Sequence, residues 1–246
     1  MDEFAVRSPK DVRLFPGTGW GRPENQADYL IVTHRSFVNA LEPLVEQRRR
    51  DGHSVAVIPV DELYNEFTAG LPSPDAITRF TQYAYHNWEA PAPQYLLLVG
   101  DSTLDPRDIF GSGTPNLVPT VITEMRFFGE SVSDDHFVRV DGDDFLPDLL
   151  VGRFPAETVE GLETMVSKTL SYQALETDQK WNSEVLVVAD DDTSVYEELS
   201  EELAGITGNA NNGAIERATS ASLTSLGRAI LGVWIKNGSR YPPSPN

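Results

Sequence analysis

Five aspartates, Asp134, Asp135, Asp141, Asp143 and Asp144, fall within eleven residues around Gly142, a glycine free to bend the backbone so that several oxygens converge. Carboxylates and carbonyls in that density suit a hard divalent cation, calcium above all, which takes six to eight oxygen donors. The spacing is not that of an EF-hand, because no glutamate closes the loop at its twelfth position. A solvated acidic loop is the other reading of the same residues. Asp101 follows Gly100 at the end of an apolar run and could ligate the same ion, cap a turn, or pair with Arg107 or Arg153. Arg153, two residues before a proline, is equally suited to lock Asp101 or Asp134 in place.

Other chemistries find fewer residues. The chain has no cysteine, hence no thiolate nucleophile and no disulfide. Its four histidines, His34, His53, His86 and His136, show no metal-ligand spacing, and none accompanies a serine in a Gly-x-Ser-x-Gly elbow. Gly111-Ser112-Gly113 is not followed by a lysine, so it does not read as a phosphate loop. Asp190-Asp191-Asp192 reads as a solvated turn before a helix whose positive N-terminus favours carboxylates.

The elements that must position these residues alternate. Apolar runs at Tyr29–Thr33, Ser54–Val60, Tyr95–Val99, Asp148–Gly152 and Glu184–Ala189 read as short strands. Between them the spacing predicts helices over Phe37–Asp51, closed by Gly52, over Ser73–Trp88, with Ser73 as N-cap and Pro74 at the first helical position, and over Thr158–Leu175. A further helix is expected over Ser194–Leu203. The pattern implies an α/β fold: a doubly wound, mostly parallel sheet flanked by helices. Such sheets place ligand groups beyond the carboxyl ends of their strands, where Asp61, Asp101, Arg153 and Asp190–Asp192 would fall.

Residues 1–27 carry scattered Gly and Pro and read as a linker or the end of an upstream domain. Residues 206–246 read as a degenerate or disordered tail. Asp and Glu total 38 against 19 Lys and Arg, a net charge of -19, which repels nucleic acid. No run of apolar residues is long enough to span a membrane, and no signal peptide is read in this chain.

In order along the chain, Asp-Tyr-Leu-Ile-Val-Thr (28–33), Tyr-Leu-Leu-Leu-Val-Gly-Asp (95–101), Val118-Pro119, Ser-Asp-Asp (133–135), the segment 141–155 ending in Val-Gly-Arg-Phe-Pro, and Lys168–Tyr172 resemble the gingipain family of cysteine peptidases, peptidase C25, clan-mates of the caspases. The resemblance implies a caspase-like catalytic domain of two subdomains. Residues 28–180 would form the first α/β subdomain and 181–205 the start of the second. It also implies an extracellular or cell-surface protein whose full-length relatives act on peptide and protein substrates.

In that family the His general base and the Cys nucleophile belong to the second subdomain, and neither segment occurs here. The acid that orients the histidine corresponds by position to Asp192, which would be vestigial. A structural calcium is likewise implied, with ligands at Asp101, Asp134, Asp135, Asp141 and Asp143. The chain thus reads as a fragment or paralogue of a cysteine-type endopeptidase, inactive as written. The alternative is a non-catalytic, calcium-stabilised scaffold or binding module of an extracellular protein; a flavodoxin-like small-ligand domain is a third reading. An exposed apolar edge at Val185–Ala189 would favour self-association.

Overall fold

The computed structural model describes residues 17–125, 129–175, 185–189, 194–211 and 215–219. They divide between two compact units, Met1–Gln173 and Ala174–Asn246.

The first unit is built on four parallel strands, β1 (Tyr29–Thr33), β2 (Val55–Pro59), β3 (Tyr95–Val99) and β6 (Leu150–Phe154), in the order β2-β1-β3-β6. Registers are aligned: Tyr29 pairs with both Val55 and Tyr95, and Tyr95 pairs with Leu150. The two central strands bury every residue after their first, as a sheet covered on both faces requires. Alternate residues divide between two cores. Leu30, Val32, Leu96 and Leu98 point to one side with Ile77, Phe80 and Trp88, while Ile31, Leu97 and Val99 point to the other with Leu44, Leu162 and Val166.

Helices α2 (Val60–Phe67) and α3 (Pro74–Asn87) cover the first side; α1 (Glu42–Arg50) and α4 (Val159–Gln173) cover the second. At α3 the Ser73 hydroxyl accepts from the Asp75 amide and Pro74 occupies the first turn, as the sequence predicts. The helix expected from Phe37 instead begins at Glu42. Pro43 has no N–H to donate to Asn39, so the preceding residues close as two 3-10 turns, Arg35–Phe37 and Asn39–Leu41. Helix α2 is not expected from the sequence, where the apolar run continues to Val60; Pro59 ends the strand and serves as the helix N-cap.

Two further strands, β4 (Val121–Met125) and β5 (Gly129–Ser133), pair antiparallel as a separate ribbon. The fourth parallel strand starts at Leu150 rather than Asp148, because Asp148 is engaged as a turn cap.

Residues 17–27, taken from their composition as linker, are docked on the first core. Trp20 stacks on Trp88 at 6.4 Å and meets Phe80 edge-on at 6.5 Å. Its indole donates to Glu62, the Trp88 indole donates to the Trp20 carbonyl, and Ala27 is fully buried. Glu66 accepts from the Trp20 and Gly21 amides and from the Thr18 hydroxyl. Scattered glycines hide this docking from a periodicity argument, since its contacts come from single residues, Trp20 foremost, rather than from a repeating apolar face.

The second unit contains β7 (Val185–Ala189), α5 (Ser194–Asn211) and β8 (Ile215–Thr219), with β7 and β8 parallel. The helix expected to stop at Leu203 runs on to Asn211, and a strand follows, so residues 206–211 and 215–219 are regular structure rather than degenerate tail. β7 therefore has a partner along one edge.

If residues 17–27 are integral to the core, Trp20→Ala lowers unfolding free energy by about 2 kcal/mol in urea denaturation, whereas a linker residue changes it by no more than about 0.5 kcal/mol. A pH dependence follows from two carboxylates. Burial alone would raise Asp28, but hydrogen bonds from His53 and from the Ser54 hydroxyl and amide hold it below its ordinary value. Glu66 is lowered in the same way, with burial opposed by Thr18, Gly21 and Trp20. A depressed folded-state value contributes stability above the unfolded value near pH 4, and this is lost as pH falls through the folded value. The melting temperature is expected to fall more steeply from pH 5 to pH 2 in the wild type than in D28N/E66Q; parallel curves contradict this.

Candidate functional site

The carboxyl ends of β3 and β6 are held together by one side chain. Arg153 is 12% exposed, and all five of its guanidinium N–H groups have acceptors. Nε and Nη2 donate to the two oxygens of Asp134, each at 2.7 Å, in a bidentate pair. Nη1 donates to the carbonyls of Gly100 and Val118, both at 2.8 Å, and Nη2 also reaches Pro119 at 3.2 Å. The Thr120 hydroxyl adds a donor to Asp134 at 3.0 Å. Of the two partners the sequence allowed Arg153, the structure selects Asp134 and leaves Asp101 aside.

The backbone makes room for this arrangement at Gly100, whose φ is +139°. A methyl group there would approach Val118 Cγ2 to 2.9 Å and Leu117 Cβ to 3.1 Å, so glycine is what lets the segment 117–118 lie against the end of β3. The Asp101 carbonyl accepts from the amides of Leu117 and Val118, closing the same contact.

The predicted metal ligands are distributed rather than gathered. Asp101 Oδ1 accepts from the Ser102 amide. Asp134 is the counter-ion of Arg153. Asp135 accepts from the Ser133 hydroxyl and from Arg139; the serine hydrogen bond does most to hold its pKa below the ordinary carboxylate value, burial opposes, and Arg139 adds to the lowering. Asp141 and Asp143 are exposed on either side of Gly142, whose φ of +75° supplies the expected bend. Among the described residues no three His, Asp or Glu side chains are grouped so as to hold a metal ion. The five carboxylates do not fit a calcium shell in this arrangement, because two of them are committed to guanidinium groups and the others lie apart. Asp190–Asp192, including the His-orienting position at Asp192, lies outside the described residues.

Asp148 was not singled out in sequence. Its Oδ2 accepts from the amides of Val140 and Asp141 at 2.7 and 2.9 Å, closing the turn around Gly142. The available signal was an acid between a proline and an apolar run. Three of the four histidines serve local structure: His34 accepts from the Ser36 amide, His53 pairs with Asp28, and His86 bonds the Val140 carbonyl.

The sequence model of peptidase family C25 matches residues 22–226. The chain belongs to peptidase family C25. Gingipain R2 of Porphyromonas gingivalis strain ATCC BAA-308 / W83 is 26% identical over 161 residues, which are 65% of this chain and 19% of that protein. Gingipain R1 of Porphyromonas gingivalis is 25% identical over 161 residues, 65% of this chain and 14% of its own length. The chain thus spans less than a fifth of these C25 relatives. The solved complex of Porphyromonas gingivalis RgpB pro- and mature domains matches with a TM-score of 0.58 and 20% identity, covering 78% of this chain and 42% of that one, which shows the shared α/β fold. The family match, starting at Arg22, takes in part of the docked segment 17–27.

Removing the clamp leaves Asp134 partly buried without its counter-charge. Arg153→Ala is expected to cost about 3 kcal/mol in chemical denaturation. Arg153→Lys should recover less than about half of that, because an ammonium cannot reproduce the fork. Equal stability of the lysine variant and the wild type would show that charge alone suffices.

Proposed function

We propose that residues 17–173 supply the first α/β subdomain of a gingipain-like cysteine peptidase, and that the 246 residues by themselves do not hydrolyse peptide bonds. One observation carries the reading: a member of the C25 family whose given sequence contains no cysteine. Cysteine-type hydrolysis needs a thiolate beside an imidazole, and no other residue type replaces that pair without a different base arrangement. In this reading the chain's contribution is positioning. The carboxyl ends of β3 and β6, where a doubly wound sheet offers its ligand side, are tied by Arg153 through the Gly100 carbonyl, and the peptide-cleaving groups come from outside these residues. The same resemblance supports an extracellular or cell-surface setting, where proteins and peptides are the substrates of the complete enzyme.

The purified chain should release no fluorophore from a mixed library of internally quenched peptides. Hydrolysis that co-elutes with the chain and survives alkylation with iodoacetamide would overturn the proposal, since no thiol of the chain could be responsible.

A further inference from the structure

The β4–β5 ribbon presents a face that nothing described covers. In the antiparallel register Ile122 pairs with Val132 and Glu124 with Glu130. Directly paired residues share a face and alternate residues change sides, so these four project to one side, while the less exposed Val121, Thr123, Ser131 and Ser133 turn to the other. Ile122 is 42% exposed and Val132 54%. The outer face is therefore two ranks, an apolar pair beside an acidic pair, about 7 Å apart along the strands.

Both ranks are unfavourable when left to water. Like charges directly opposite on a sheet repel, and among the described residues neither Glu124 nor Glu130 has a cationic partner. Ile122 and Val132 belong to neither core. Yet the ribbon is built to stay in place. Its incoming leg is held at the Val118 and Pro119 carbonyls and its outgoing leg at Asp134, all three by Arg153. A rigid surface forfeits little conformational entropy on association.

We propose that this face is a docking surface for a cationic polypeptide segment in extended form, with an apolar residue two positions from a lysine or arginine. Two positions along an extended chain span the distance between the ranks, so the apolar side chain meets Ile122 and Val132 while the cation sits between Glu124 and Glu130. A cation there relieves the cross-strand repulsion. Charge argues against a second copy as the occupant: a two-fold interface on this face would set four glutamates against one another in a chain of net charge -19.

The test is fluorescence anisotropy at low salt with the full chain and a labelled peptide of three Val-Ser-Lys-Ser repeats. Against wild type, E124Q/E130Q and I122S/V132S should each weaken binding by about tenfold or more, without lowering the melting temperature. E160Q/E163Q, which removes the same charge from the exposed face of α4, should change it by less than about twofold. Replacing valine by serine in the peptide should also weaken binding. Wild-type affinity in the ribbon variants, an equal loss in E160Q/E163Q, or indifference to the valines would each overturn the proposal. So would a dimer, seen by sedimentation, that I122S/V132S dissolves, because a second copy would then be the occupant.

Discussion

A single guanidinium decides the geometry of one end of the sheet. Arg153 spends all five donors, two on a carboxylate and three on carbonyls, and its acceptors come from the end of β3, the leg before β4 and the turn after β5. Burying a charge is unfavourable unless its hydrogen bonds and counter-charge are both supplied, and here both are. The consequence reaches beyond the pair. The ribbon contributes few side chains to the core, so its position depends on polar tethers rather than on buried area. Gly100 belongs to the same constraint, since any side chain there would push the segment 117–118 away from the acceptors Arg153 needs.

This explains how acids of one segment can serve structure. Asp134 neutralises a guanidinium, Asp135 holds a serine and an arginine within its own turn, and Asp148 satisfies two amides of the Gly142 bend. Each carboxylate answers a local need. Two acids of the dense cluster, Asp134 and Asp135, and the later Asp148 thus carry three separate tasks in space.

Much of the first unit was legible in sequence because burial on both sheet faces forces continuous apolar strands, as at Tyr29–Thr33 and Tyr95–Val99. The N-terminus of α3 was equally plain, since Ser73 and Pro74 act through local backbone chemistry. What escaped depends on contacts remote in sequence. Trp20 joins the core across 68 residues to Trp88, and α2 follows directly from a strand with no intervening loop to mark it. The ribbon carries weak alternation with glutamates and a glycine, and its stability comes from Arg153, far downstream. Arg153 itself was recognised as a lock, but sequence alone could not choose between Asp101 and Asp134; that choice is made where the chain returns after β5. In the second unit, helix α5 outran its expected end at Leu203 because Gly205 and Gly208, usually helix-ending residues, lie within it.

Amide hydrogen exchange on Arg153→Lys compared with wild type tests the central claim most directly. If the guanidinium tethers the ribbon, amides of Val121–Met125 and Gly129–Ser133 exchange at least about tenfold faster in the variant, while those of β1 and β3 keep their protection. Exchange that rises equally throughout the sheet, or does not rise in the ribbon, would contradict the account.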